Sequence, residues 1–292
     1  MTHTRKLTGV LACLAAIGLI AAAFPSVIDP ATRTASTSTL SIAWDSTNPE
    51  EIVSLSWNGS PNLTNAWTNG YCSTGGDLEF FGNAWGTGEG ADFVSFVGWG
   101  TTGSWAAQGR NGVRIASSAD VSTCFGNQGV PVQTRYHLWD HGAPVNRIQV
   151  QRRFGFGLTA FDQDFRPYIP RLYPRSGYNQ VLHPDAAGSS LLTVDVVPDG
   201  PYENGAEVTD WDGSWFAVHN PTTGQGMIVR HAPSTYTASL WIDSDAGSET
   251  SSTSVLLKQP AGGFTGNVVD TQFMCFYDAS TWTPSLTLPP GC

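Results

Sequence analysis

Lysine is almost absent from this sequence. Only Lys6 and Lys258 occur, and charged residues of all kinds make up 13% of the chain. With a net charge of −10, that scarcity argues against a nucleic-acid partner and against a polybasic membrane patch. It also leaves little room for lysine Schiff-base chemistry. No long stretch shows the 3.6-residue apolar period of an amphipathic helix. No G-x-S-x-G, H-E-x-x-H or P-loop is present. "GFGLTA" (Gly155 to Ala160) fits G-x-G-x-x-A, but no helix pattern follows it, so the match is read as coincidence. No repeat at a fixed period is present, which argues against a propeller or solenoid.

What the sequence does contain is a layout for export. Arg5 and Lys6 precede the apolar run "LTGVLACLAAIGLIAAAF", with small residues Ala21, Ala22 and Ala23 near a plausible cleavage point. This reads as a secretory signal over residues 1–29. The same run also fits an uncleaved anchor, and "VLAC" at Cys13 weakly resembles a lipidation site. Each reading places the rest of the chain outside the cytoplasm, secreted or extracellular, with a membrane involved only through an uncleaved anchor. Residues 30–42 are Ser/Thr-rich and read as a linker to a single domain over 43–292. Four cysteines follow the signal, and an even count in an exported chain suggests two disulfides. Nearest-neighbour pairing gives Cys72–Cys124 and Cys275–Cys292.

The expected fold class is all-β, a large antiparallel β-sandwich. Strand candidates are Asp92–Trp99, Arg147–Leu158, Leu191–Val197, Ser214–His219, Met227–His231, Ser239–Asp243, Thr253–Leu257 and Gln272–Tyr277. Asn58-Gly59, Asn69-Gly70, Asn111-Gly112, Asp199-Gly200, Asn204-Gly205 and Asp212-Gly213 supply hairpin turns. In "RIQVQRRFGFGL", period two places Ile148, Val150, Phe154, Phe156 and Leu158 on one face, together with Arg152. A buried guanidinium needs a carboxylate or a cleft. The opposite face, Arg147, Gln149, Gln151 and Arg153, is polar: either a solvated outside or the floor of a groove.

Chemistry-bearing residues are scattered. "RYHLWDHG" gathers Tyr136, His137, Trp139, Asp140 and His141. His219 shares a strand face with Trp215, with Ala217 between them. That spacing suits a sugar ring on an indole beside an imidazole, and it equally suits a covered second face. Eleven tryptophans are many for this length; they fill a core or serve as sugar platforms. Elimination on a uronate needs a cation against the carboxylate and a Tyr or His base. Arg166 and Arg171 offer the first; Tyr136, His137, His141, Tyr168 and His183 offer the second. A glycosidase needs two carboxylates, for which Asp164, Glu203, Glu207, Asp210 and Asp212 are candidates. Asp243, Asp245 and Glu249 surround Gly247 but lack a complete calcium-loop spacing, so calcium is the weaker reading there and a solvated turn the stronger; no cofactor is expected.

At "NRIQVQRRFGF", "DFRPYIPRLYP" and "WFAVHNPTTGQGMIV" the chain resembles the galactose mutarotase-like supersandwich group, which includes aldose epimerases and sandwich domains of polysaccharide lyases. The resemblance rests on an R-x-F-type strand (Arg152 or Arg153 with Phe154) and on the N-P-x-T-G-x-G turn from Asn220 to Gly226. It covers about residues 145–231. It implies a sugar-handling sandwich, although neither the late catalytic glutamate of epimerases nor a complete lyase set has a counterpart here. The resulting expectation is an exported carbohydrate-active protein acting on a polysaccharide by glycosidase- or lyase-type chemistry. Its expected catalytic residues are His141, His219, Asp212 and Arg166, and its expected substrate-binding residues are Arg152, Trp215, Trp139, His137 and Tyr168. The competing readings are a non-catalytic carbohydrate binder and a surface structural protein.

Overall fold

The computed structural model describes residues 27–29, 32, 34–44, 52–58, 78–79, 82–83, 94–96, 105–109, 112–123, 126–138, 147–154, 160–161, 167–172, 177–197, 200–202, 205–232, 237–244, 251–257, 264–265 and 268–292. All regular structure among them is strand. A four-stranded sheet runs β1 (Val27–Asp29), β2 (Thr34–Ser36), β3 (Leu40–Trp44), β4 (Ile52–Trp57) in that order.

A smaller mixed-length sheet contains β5 (Leu78–Glu79), β6 (Gly82–Asn83), β13 (Pro167–Leu172), β16 (Ala206–Val208), β19 (Ala238–Ser244) and β20 (Ser251–Leu257). A short pair joins β12 (Ala160–Phe161) to β21 (Phe264–Thr265).

The dominant element is a ten-stranded sheet. It is built from β7 (Val94–Phe96), β8 (Trp105–Gly109), β9 (Gly112–Thr123), β10 (Gly126–Leu138), β11 (Arg147–Phe154), β14 (Gln180–Pro184), β15 (Leu191–Asp195), β17 (Trp215–Asn220), β18 (Gln225–His231) and β22 (Val268–Tyr277). Its order is β15-β14-β17-β18-β22-β11-β10-β9-β7, with β8 also on β9, and every pairing is antiparallel. The late strand β22 therefore sits at the centre, between β18 and β11.

Alternation sorts the side chains of this sheet into two faces. The inner face carries Tyr136, Leu138, Ile148, Val150, Val181, Phe216, Val218, Val229, Met274 and Phe276. These pack with Ala35, Leu40, Ile42, Leu55 and Trp57 of the four-stranded sheet and with Val208, Leu240 and Ile242 of the smaller one. The architecture is thus the large antiparallel sandwich expected from the strand-and-turn pattern.

All eight strand candidates contain a strand. At three of the six expected turn dipeptides a described residue takes left-handed backbone, Asn58 (φ 50), Gly205 (φ 77) and Gly213 (φ 83), while Asn69-Gly70 lies outside the described residues. The segment 30–42 carries β2 and the start of β3, with Ala35, Leu40 and Ile42 buried in the core. Its Ser and Thr residues mask a period-two pattern that only three apolar residues mark.

Candidate functional site

The outer face of the ten-stranded sheet is where the polar and aromatic candidates fall. At β17 it carries Trp215, Ala217 and His219; at β18, Gly226, Ile228 and Arg230; at β22, Phe273, Cys275 and Tyr277. The hairpin between β17 and β18 closes on Asn220, whose Oδ1 accepts from the Thr222 and Thr223 amides at 3.0 and 3.1 Å. Gly224 (φ 69) completes the turn.

One end of this face is covered by the chain itself. Residues 278–292 turn back across it as a strap. Asp278 starts the strap, with hydrogen bonds from Ser280, led by its hydroxyl, and from Thr281 that hold the carboxyl below its ordinary pKa. Trp282 then inserts edge-on against Tyr277 (4.7 Å between centroids) and Trp215 (6.1 Å), and its Nε1–H donates to the Thr287 carbonyl at 2.9 Å. The far end is tied by the Cys275–Cys292 disulfide, the pairing expected from sequence proximity. Arg147 donates to the Gly291 carbonyl at 2.8 Å, and Arg230 to that of Cys292 at 2.9 Å. Arg147 also lies over the Phe273 ring, 5.2 Å from its centroid. Its pKa is lowered by burial and by the neighbouring charge of Arg230.

Under the strap, His219 Nδ1 and the Tyr277 hydroxyl share a 3.0 Å hydrogen bond, with their rings near parallel at 14°. Tyr277 reaches the imidazole by lying across Gly226, the register partner of both residues. Burial pushes the His219 pKa down; burial, then the nearby Tyr178, pushes that of Tyr277 up. Both shifts favour the uncharged forms of the pair, a neutral imidazole hydrogen-bonded to a protonated phenol. Because the folded state disfavours the imidazolium, the unfolded chain binds more protons below its ordinary value of 6.5. The stability contributed by neutral His219 is present above that pH and is lost as pH falls through it. The urea midpoint is expected to drop between pH 7 and 5, and His219→Gln is expected to flatten that slope; an unchanged slope in the variant would assign the effect to another group.

The other expected site residues that are described lie at separate places in the fold. Trp215 is 5% exposed, with Trp282 edge-on to its ring. Asp212 lies before β17, at the opposite end of that strand from His219. Its carboxylate accepts the Ser214 amide and hydroxyl at 2.8 and 2.7 Å, so it braces the turn. Asp210 does the same for the Ala186 amide at 2.8 Å.

Tyr136 and His183 are fully buried on the inner face, the latter with Nδ1–H donating to the Pro184 carbonyl at 2.8 Å. His137 is half-buried on the outer face of β10, in register with Gln149 and Arg114. Arg152 takes an inner-face position whose partner on β22 is Asp270, and Tyr168 belongs to β13 in the smaller sheet. Asp243 belongs to β19. His141, Arg166, Trp139, Asp245, Glu249 and the expected Cys72–Cys124 pair lie outside the described residues.

A buried hydrogen-bonded pair was not singled out from sequence. His231 Nε2–H donates to Asp270 Oδ1 at 2.7 Å, with both residues out of contact with water. Gln272 is buried on the same face, in register with His231. The signal was present: in "VVDTQFMCFY" Asp270 and Gln272 share parity with Met274 and Phe276, so a carboxylate at that parity requires a partner.

No family model matches the chain, and no curated protein sequence matches it. Solved structures match in fold. An α-N-acetylgalactosaminidase from Bifidobacterium bifidum, complexed with Gal-NHAc-DNJ, superposes with a TM-score of 0.51 at 13% identity over 84% of this chain. The chain spans only 36% of the length of that enzyme. A candidate aldose 1-epimerase of Escherichia coli K12 superposes with the same TM-score, 0.51, at 11% identity over 84% of this chain and 98% of its own. The sandwich is therefore mutarotase-like in fold, as the resemblance implied.

Proposed function

We propose that this is an exported carbohydrate-active protein that takes a polysaccharide on the outer face of its ten-stranded sheet. One observation carries the reading: beyond the strap, that face is a broad, partly open surface of polar and planar side chains. Gln149, Gln151, His137 and Thr271 are half-buried there. Glutamine, threonine and histidine supply directional hydrogen bonds to hydroxyls. The two superposed structures, one holding a sugar-like ligand and the other named for a sugar epimerase, support the same class. These positions lie on several adjacent strands, which favours a polymer over a monosaccharide.

The finer part of the proposal is polymer cleavage, with His141 and Arg166 as the residues closest in chemical type to a base and its cation. The test incubates the mature protein with a panel of neutral and charged polysaccharides. Affinity electrophoresis reads retention, and an end-group assay reads new chain ends. Retention with new ends is expected, and His141→Ala is expected to remove the ends while leaving retention. A panel without retention or new ends would overturn the carbohydrate reading and favour a structural role.

A further inference from the structure

The strap over the outer face is held at its far end by a bond that chemistry can undo. Among the described residues the backbone hydrogen bonds of the strap are local. The Thr281 and Trp282 amides donate to the Asp278 carbonyl and the Cys292 amide donates to that of Pro289, each at 3.0 Å. Residues 278–292 contribute no strand to the sheet. What fastens them to it is the burial of Trp282, the Arg147 and Arg230 bonds to the Gly291 and Cys292 carbonyls, and the Cys275–Cys292 disulfide. The two cysteines are 17 residues apart, and closing a loop of that length lowers the open population about a hundredfold.

The two sulfurs are unequal. Cys275 is wholly buried on β22, whereas Cys292 is partly exposed. A thiolate arriving from solvent therefore meets Cys292 Sγ, and the sulfur it displaces is that of Cys275. The surroundings of Cys275 suit a leaving group. Arg147 is its register partner on β11, and Arg230 stands two residues from Ile228, its register partner on β18. Nearby guanidiniums favour the thiolate, and a thiol of lower pKa leaves faster. Burial and the charge of Arg230 already depress the Arg147 pKa. A thiolate formed between the two cations would relieve that repulsion.

We propose that Cys275–Cys292 is a site of thiol–disulfide exchange, through which a dithiol releases the strap and uncovers Trp215 and Tyr277. The attacking thiolate bonds to Cys292 Sγ as the Cys275–Cys292 bond breaks, and Cys275 leaves as a thiolate and takes up a proton. The second thiol of the reductant then displaces Cys292, which is protonated in turn. The dithiol becomes a disulfide, and its two electrons and two protons end on the two cysteines. Trp282 leaves the Tyr277 and Trp215 rings with the strap, which adds an aromatic floor to the outer face.

The test treats the folded protein with dithiothreitol, caps free thiols with iodoacetamide, maps the caps by mass spectrometry and follows hydrogen exchange. Both Cys275 and Cys292 are expected to be capped while the far-UV circular dichroism is unchanged. Protection of the Trp282 and Cys292 amides should fall about a hundredfold, with β22 still protected through Met274 and Phe276. Glutathione in place of dithiothreitol should leave its mixed disulfide on Cys292; an adduct on Cys275 would overturn the order of attack. Cys292→Ser is expected to show the same loss of protection without any reductant. A disulfide that opens only once the sheet has unfolded would overturn the proposal, and so would a reduced protein whose strap is as protected as before. Reduction acts on the unaltered chain, so it decides the matter even if the variant does not fold. No carbohydrate enters these readouts, so their outcome is independent of the function proposed above.

Discussion

Replacing Asp270 by alanine is expected to destabilise the protein by about 1–3 kcal/mol, the usual cost of leaving a buried hydrogen-bond donor unsatisfied. His231 Nε2 lies 2.7 Å from Asp270 Oδ1, and neither residue has meaningful access to water. Removing the carboxylate takes from the buried imidazole N–H its acceptor, beside Gln272 and the apolar side chains of the core. It also removes the one described carboxylate in register with Arg152 on the adjacent strand. The double variant Asp270→Ala, His231→Leu should recover part of the loss, since two apolar groups tolerate burial better than one orphaned polar group. Urea unfolding of the four proteins measures the coupling. Additive losses would show that the pair is not an energetic unit.

The second large effect concerns Gly226. A side chain here would meet the phenol of Tyr277 and would place its Cβ 2.5 Å from the Val218 carbonyl oxygen, which belongs to the sheet ladder and cannot yield cheaply. Gly226→Val should therefore expel Tyr277 from its place over β18 and break its bond to His219. Overpacking at the upper end of its range, plus one lost hydrogen bond, amounts to roughly 3–5 kcal/mol. For a chain of this size that is a fall in melting temperature of about 6–20 °C. Trp282 rests on Tyr277, so its fluorescence should change in the same variant if it still folds. A variant with unchanged midpoint and unchanged emission would mean that Tyr277 does not occupy this position.

The sequence pattern was most legible where turns and alternation agree. The β17–β18 hairpin is one such place. Asn220 and Gly224 mark the turn, and Trp215, Ala217 and His219 share a face as their spacing requires. The fate of that face was not legible. An indole beside an imidazole looks the same whether a sugar or Trp282 lies over it, and only the course of residues 278–292 decides. The strands β9 and β10 were hidden by composition. "GNQGVPVQTRYHL" contains Pro131, which a central strand accommodates only at an irregularity, and the register does shift between Asn127 and Pro131. The His231–Asp270 pair joins strands far apart in sequence, so periodicity marked each strand without revealing their contact.

The central place of β22 has a consequence for how the molecule is made. Until residues 268–277 are available, β18 and β11 each expose an unpaired row of amides and carbonyls, and the broad sheet exists as two fragments with sticky margins. Such margins template pairing between molecules, and pairings this distant in sequence form slowly. A polypeptide interrupted before Val268 would therefore precipitate rather than persist as a shortened but working molecule, and assembly is essentially all-or-nothing, waiting on its keystone.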